Sequence, residues 1–477
     1  MRKIYGLLIT SLVLWIASCA VGPDFERPQY TGNNHYRFES DTAGADTLVN
    51  LRWWQLFNDP ILDSLIRYAL EQNRDVMVAA ARIEAAKANL KMTKAEQWPA
   101  FGLQTNVSSG NFGGGMRFNQ TNSGFNAFPE MYWEIGFWGK YRRMNEAARA
   151  ELLASEYGLR TVQIGLISAV ASTYFSLLEY QEKLKIAQQT YLARDSGMRI
   201  IKSRYDYGIV AEIDYNQSQI QTAISMAAIP AYERAIATTE NTLSILIGTE
   251  PQTILPEIPL LKQTLPPEIP AGLPSDLLQR RPDILQSEAL YKAQNARIGV
   301  AQAMRWPSLN LTGLLGYATN DLLSFNTGGF AWAVAGSLTG PIFQFGKNKR
   351  RVEMEKFYTE AALKEYEKTT LQAFKEVEDA LIAIKTYKEE LQAAKIRNDA
   401  ALNARILSLQ RYDKGQTSYL EVLESERQAF DAQLAYTQTY TALLNAYVAL
   451  YKALGGGWLS IDEEEQARQQ SGQSQKQ

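Results

Sequence analysis

Apolar and polar residues alternate in four short stretches of the chain. In 309–317, Leu309, Leu311, Leu315 and Tyr317 oppose Asn310, Thr312 and Leu314. In 330–342, Phe330, Trp332, Val334, Leu338 and Ile342 oppose Ala331, Ala333, Ala335, Ser337 and Thr339. Two earlier stretches follow the same scheme: Phe101, Leu103 and Val107 against Gln104, Asn106 and Ser108, then Met131, Trp133, Ile135 and Phe137 against Glu130, Tyr132 and Glu134. A period of two marks a strand. One apolar face with aromatic ends, opposite a polar or small face, is what a strand of an outer-membrane barrel presents. Gly/Asn-rich segments at 110–124 and 319–329 are expected to close two hairpins.

The remaining pattern is helical. From Lys140 to about Tyr205, and from Lys347 to about Tyr412, no proline occurs, and an unbroken helix of that length would measure about 100 Å. In the second stretch Leu363, Thr370, Val377, Ile384 and Leu391 recur every seventh position, with Phe374 and Leu381 at the offset of four. Such a seam requires a packing partner. Asn58-Asp59-Pro60 supplies a cap and a first-turn proline for an earlier helix, which Trp98-Pro99 is expected to close. The glycines of "RYDYGIV" and "RYDKGQT", Gly208 and Gly415, suit left-handed helix caps.

These elements occur twice, at a spacing of about 207 residues. Residues 74–104 align with 282–312, sharing Asp75 with Asp283 and Trp98-Pro99 with Trp306-Pro307; "FWGKYRR" answers "FGKNKRR", and 204–219 answers 411–426. Each copy reads as helix, two strands, very long helix, turn, long helix. Between the copies, 251–274 holds seven of the 16 prolines and forms a non-helical connector. Four strands cannot close a barrel, because the smallest have about eight. The chain must therefore assemble with copies of itself.

Composition narrows the function. The 49 Lys and Arg nearly balance the 51 Asp and Glu, which leaves no field for nucleic acid. A single histidine, His35, and a single cysteine, Cys19, remove the central residues of the usual triads, thiol nucleophiles and zinc sites. No catalytic or metal site is expected. Arg2, Lys3, an apolar run from Ile4 to Ile16, and Ala17-Ser18 before Cys19 have the layout of a secretory signal. Ile16-Ala17-Ser18-Cys19 resembles a bacterial lipobox, which implies cleavage before Cys19 and a diacylglycerol and an N-acyl chain on it; a buried cysteine that merely follows a signal peptide is the alternative. Ala20, in place of aspartate, implies outer-membrane delivery. Apart from the signal the sequence shows no long apolar segment, so a membrane crossing must use strands.

The motifs "CAVGPDFERP" (19–28), "WWQLFNDPILDSLIRYALEQNRDV" (53–76), "RRPDI" (280–284), "AQNARIGVAQAMRWPSL" (293–309) and "LYKALGGGW" (450–458) span nearly the whole mature chain. In them the chain resembles the TolC-like outer-membrane efflux proteins, in particular the lipoprotein branch attached to resistance-nodulation-division pumps. The resemblance implies an α+β membrane protein with a two-fold internal repeat, completed as a homotrimer: a twelve-stranded β-barrel on an α-helical barrel, lipid-anchored in the outer membrane and extending into the periplasm. It implies no enzyme and no cofactor beyond the acyl groups on Cys19. The expected function is a passive exit duct for drugs or other small toxic compounds, driven by an inner-membrane pump through a periplasmic adaptor. A duct dedicated to metal ions or protein secretion, and a non-conducting scaffold, are the alternatives.

On this reading 1–18 is the signal peptide, 19–58 an anchor and equatorial segment, 59–250 the first repeat, 251–274 the equatorial connector, 275–456 the second repeat and 457–477 a polar tail expected to be disordered. The resemblance places the periplasmic aperture in "SYLEVLESE" (418–426), where Leu420 and Glu424 match its apolar and acidic positions and Glu421 a second acid. Each has a plainer reading, since Ser418 and Glu421 have capping-box spacing and Leu420 could belong to a seam. Glu424 answers the neutral Gln217 of the first copy. Arg204, Gly208, Arg411 and Gly415, recurring at both turns, are the expected adaptor contacts, although the glycines also simply suit the turns.

Overall fold

The computed structural model describes residues 21–28, 36–38, 53–110, 122–266, 278–319 and 329–456. Cys19, His35, the two loop tips and the tail lie outside them. Besides two short 3-10 helices, Trp53–Phe57 and Leu260–Lys262, the second of which gives the connector one helical turn that its prolines did not predict, the strands and α-helices follow in chain order: α1 (Pro60–Gln72), α2 (Arg74–Ala95), β1 (Ala100–Gly110), β2 (Asn122–Ile135), α3 (Lys140–Asp206), α4 (Glu212–Leu246), α5 (Pro282–Ala303), β3 (Ser308–Thr319), β4 (Gly329–Thr339), α6 (Lys347–Asp413) and α7 (Tyr419–Ala453). The residues divide into two compact units, each drawing on both repeats: one holds 1–29, 81–157 and 286–368, the other 30–80, 158–285 and 369–477.

The first unit contains the sheet, ordered β1-β2-β3-β4 and antiparallel throughout. Its register carries one face unbroken across all four strands. Phe101 pairs with Met131, Met131 with Gly313 and Gly313 with Val334, while on the opposite face Glu134, Asn310 and Ser337 lie in line. Because side chains alternate, a slip of one residue would exchange the faces. The apolar face is bare: Phe101, Trp332 and Val334 are each more than 70% exposed. Pro129, inside β2, has no N–H to offer β3, and the pairing of these strands skips Phe128 and Pro129 before resuming at Glu130 and Leu314.

Two strands stop sooner than alternation predicts. β2 ends at Ile135 and β4 at Thr339, so Phe137 and Ile342 lie beyond them. Gly340 packs directly on Pro307, whose atoms would stand 2.7 Å from a Cβ there, and Pro341 follows without an N–H.

The earliest helix is also two helices. Asn73 leaves the helical region (φ −64°, ψ 132°), and its backbone N–H still caps Ala69 O. Its side-chain oxygen accepts from the N–H groups of Asp75 and Val76, and its amide donates to Leu246 O at 2.9 Å. One residue thus ends α1 and starts α2. Helix α2 finishes at Ala95, just before Trp98-Pro99.

The second unit carries the main core. Trp53 stacks on Tyr451 at 5.0 Å, and Phe57 lies 4.9 Å from Phe175. Leu62, Ile66, Val170, Leu177, Leu243 and Leu443 are fully buried around them. The heptad seam of α6 packs here, within the same chain: Val377 and Ile384 are buried, and Phe374, Leu381 and Leu391 rest against the cluster. The seam therefore needs no second copy. One stretch of α3 is long and apolar enough to span a membrane by length and composition, which inspection of the sequence missed; more than half of it is buried, and residues such as Val170, Ala171 and Tyr174 belong to this core.

Asp59 organises the core's polar centre. Only 3% exposed, it caps α1 by accepting from the N–H groups of Ile61 and Leu62. Its second oxygen accepts from the Tyr174 hydroxyl at 2.8 Å and from Gln263 of the connector at 2.7 Å. Four donors satisfy the carboxylate, so its burial costs little. Arg281 of "RRPDI" closes the other end: it donates to Ala453 O at 3.0 Å and pairs with Asp283 and Glu376.

Candidate functional site

The two helical turns are built alike. After α3, Gly208 at φ +71° donates to Tyr205 O and Ile209 to Arg204 O, both at 2.8 Å. After α6, Gly415 at φ +71° donates to Tyr412 O and Gln416 to Arg411 O, both at 2.9 Å. This paired ending satisfies carbonyls that a helix otherwise leaves bare, and it requires a left-handed residue. A Cβ on either glycine would touch nothing, so backbone conformation alone demands them.

The turns meet over a small core of Ile201, Tyr419, Val422 and Leu423. Arg204 donates to the Tyr412 hydroxyl at 2.9 Å, its guanidinium 5.2 Å from that ring's centre. Arg411 is used differently, pairing with Glu421 at 2.9 Å. The Thr417 hydroxyl also donates to Glu421. Ser418 occupies the cap position of α7, yet its side chain makes no capping hydrogen bond. The spacing of a capping box is present without its bonds, because Glu421 is already engaged by Arg411 and Thr417.

Leu420 and Glu424, one helical turn apart, both face outward. Leu420 is 57% exposed. The Glu424 carboxylate accepts from Arg427 at 2.6 and 3.0 Å and from Gln428 at 2.8 Å. Arg427 in turn reaches Asp431 at 3.4 Å. The Arg427 hydrogen bond, helped by Gln428, holds the Glu424 carboxyl below its ordinary range. Glu424 therefore keeps its charge at neutral and mildly acidic pH.

A further charged group escaped inspection of the sequence. Arg194, 4% exposed, donates to Gln221 O at 2.9 Å and lies 5.3 Å from the Phe430 ring centre. Its Nε is 3.9 Å from a Glu426 oxygen, beyond hydrogen-bond reach, and two of its nitrogens lack a protein acceptor among the described residues. Burial pushes the Glu426 carboxyl up against the opposing pull of Arg194. The only available signal was an asymmetry between the copies, since the counterparts of Arg194 and Glu426 are Ala401 and Gln219.

Comparison with known proteins places this architecture. The family described as "Outer membrane efflux protein" matches the chain twice, over residues 65–249 and 273–456. The solvent efflux pump outer membrane protein SrpC of Pseudomonas putida is 33% identical over 460 residues, covering 94% of this chain and 97% of its own. SilC of Salmonella typhimurium, described as a probable outer membrane lipoprotein, is 31% identical, covering 95% and 99%. The crystal structure of the Campylobacter jejuni CmeC outer membrane channel superposes with a TM-score of 0.86 at 26% identity, covering 95% of this chain and 98% of that one.

Proposed function

The chain belongs to the outer membrane efflux protein family, and from that premise we propose that it is a passive, trimeric exit duct of a tripartite efflux system, gated at its helical turns. Each of three copies contributes β1 to β4 to one twelve-stranded barrel in the outer membrane, while the long helices form a periplasmic tunnel. The observation that carries this reading is the sheet. Its apolar face is continuous and exposed, its opposite face is mostly polar or small, and four strands are too few to close alone.

The turns supply the gate. Leu420 narrows the aperture and Glu424 lines it with charge, and three copies of an acid around one axis repel anions and attract cations. Glu421, tied to Arg411, sets the shape of the turn and adds a second acid. Arg204, Gly208, Arg411 and Gly415 form the surface that a periplasmic adaptor grips, and the adaptor couples the duct to an inner-membrane pump of the resistance-nodulation-division type. Cys19 carries the lipid anchor, a reading supported by the lipobox-like sequence and by the lipoprotein description of SilC. The chain performs no chemistry of its own.

Small organic compounds are the proposed cargo, supported by the solvent-pump relative. The test is a susceptibility profile of a strain lacking the gene, across hydrophobic drugs, dyes, detergents, solvents, copper and silver. Sensitisation to chemically unrelated organic compounds, restored by the intact gene, is expected. Sensitisation to metals alone, or to nothing, would overturn the cargo assignment.

A further inference from the structure

In the sheet-bearing unit, a groove of about 880 Å³ opens beside the first turns of α3. Its lining carries five cations, Lys94, Arg142, Arg143, Arg149 and Lys292, and three carboxylates, Asp24, Glu146 and Glu156. Two of the carboxylates are already taken. Buried Arg143 holds both Asp24 and Glu146 at 2.8 Å and also donates to Gly22 O. Arg142, Arg149 and Lys94 are exposed and have no acidic partner among the described residues. What remains is Lys94, Arg142, Arg149 and Lys292 against Glu156, a surplus of positive charge, with Trp98, 72% exposed, in the same lining.

One feature of the fold and the proposed lipid anchor both put this groove at the membrane boundary. Trp98 stands two residues before β1, whose apolar face begins with Phe101, and an aromatic at the end of a barrel strand is a boundary marker. The segment 21–28 also runs along the same unit. Val21 donates to Trp138 O at 3.2 Å, Gly22 packs on Gly299, Phe25 lies 5.4 Å from Tyr291, and Arg27 pairs with Glu288 at 2.8 Å. Cys19, the proposed acylation site, is two residues upstream of Val21 in the sequence. An acyl group on it would therefore enter the bilayer close to the groove.

We propose that this groove docks the head group of an anionic glycerophospholipid from the inner leaflet of the outer membrane. Arg142, Arg149 and Lys94 receive its phosphate, and Trp98 sits at the level of its glycerol and upper acyl carbons. Arginine suits the task, because its planar fork matches phosphate oxygens. Exposed cations at a membrane surface each add attraction to anionic lipid that salt screens. The inference rests on outer-membrane placement and on the proposed Cys19 anchor, not on conduction, so failure of the duct reading would leave it standing.

Native mass spectrometry of the detergent-purified full-length protein tests it, using dioleoyl-phosphatidylglycerol and dioleoyl-phosphatidylcholine as parallel probes. Phosphatidylglycerol should be retained about tenfold more strongly. The preference should vanish in the Arg142→Gln/Arg149→Gln variant and persist in Lys347→Gln/Lys349→Gln, which changes charge outside the groove. If the first variant fails to fold, Lys94→Gln/Lys292→Gln interrogates the same wall. Equal retention of the two lipids by the native protein, or an undiminished preference in the groove variants, would overturn the proposal.

Discussion

The two long return helices, α4 and α7, begin at turns of the same construction, yet their outward faces differ in kind. On α7 the sequence Glu424, Arg427, Asp431 forms a chain of hydrogen-bonded charges. The matching positions of α4 are Gln217, Ile220 and Ile224, and Ile220 and Ile224 are 57% and 48% exposed. Ile209 and Ile213, closer to the turn, are exposed as well. A charged face is content in water, whereas a stripe of isoleucines at helical spacing is a surface awaiting cover. Duplication preserved the turn, and divergence gave each copy a different outward face. On the proposed assembly, α7 turns its charges to the aqueous aperture and α4 its isoleucines to an adjoining copy.

Transplanting one face onto the other breaks the comparison most severely. Ile220→Arg with Ile224→Asp writes the α7 charges into α4. It removes about 1.5–3 kcal/mol of burial per side chain at a covered face and leaves charges there instead. The oligomer should dissociate or weaken by more than about a hundredfold, read by analytical ultracentrifugation of the detergent-purified protein. The reverse change, Arg427→Ile with Asp431→Ile, should leave the oligomer intact. Unchanged association in the first variant would show that the α4 stripe is not an interface.

A smaller effect sharpens the same asymmetry, because the buried pair of Arg194 and Glu426 exists in one copy only. Burial raises the Glu426 carboxyl, so the folded state favours its protonated form. The stability this contributes is fully present at low pH and is lost as pH rises from the ordinary carboxylate value through the raised one. Hydrogen exchange of residues 422–430 should accordingly be faster at pH 7.5 than at pH 5 after correction for the intrinsic rate. Glu426→Gln should flatten that dependence. An equal slope in the variant would assign the effect to another group.

Much of the fold was legible because its determinants are local or periodic. Alternation identified four strands whose register then kept Phe101, Met131 and Val334 on one face, and the absence of proline marked two helices that each run 67 residues. Legibility failed where a distant group decides. Nothing near Asn73 announces that Leu246 O will receive its amide, and the ends of β4 and α1 depend on contacts of that kind. The turn glycines were readable from their own conformation. The partner of Arg204 was not, since Tyr412 lies 208 residues away, and an even longer separation hid the pairing of Arg194 with Glu426. Family likeness pointed to Leu420, Glu421 and Glu424, but only the side-chain geometry separates Glu421, tied back to Arg411 before the turn, from Glu424, paired with Arg427 along its own helix.

The central claim is that the turns close a conducting path. Single-channel recording of the full-length protein in a planar bilayer, beside the Leu420→Ala/Glu424→Ala variant, tests it most directly. The account predicts small native currents and stepwise currents several times larger in the variant. The contribution of Glu424 should be lost only on acidification, because the Arg427 hydrogen bond holds its carboxyl below the ordinary range. Identical currents in both proteins, or none in either, would contradict it.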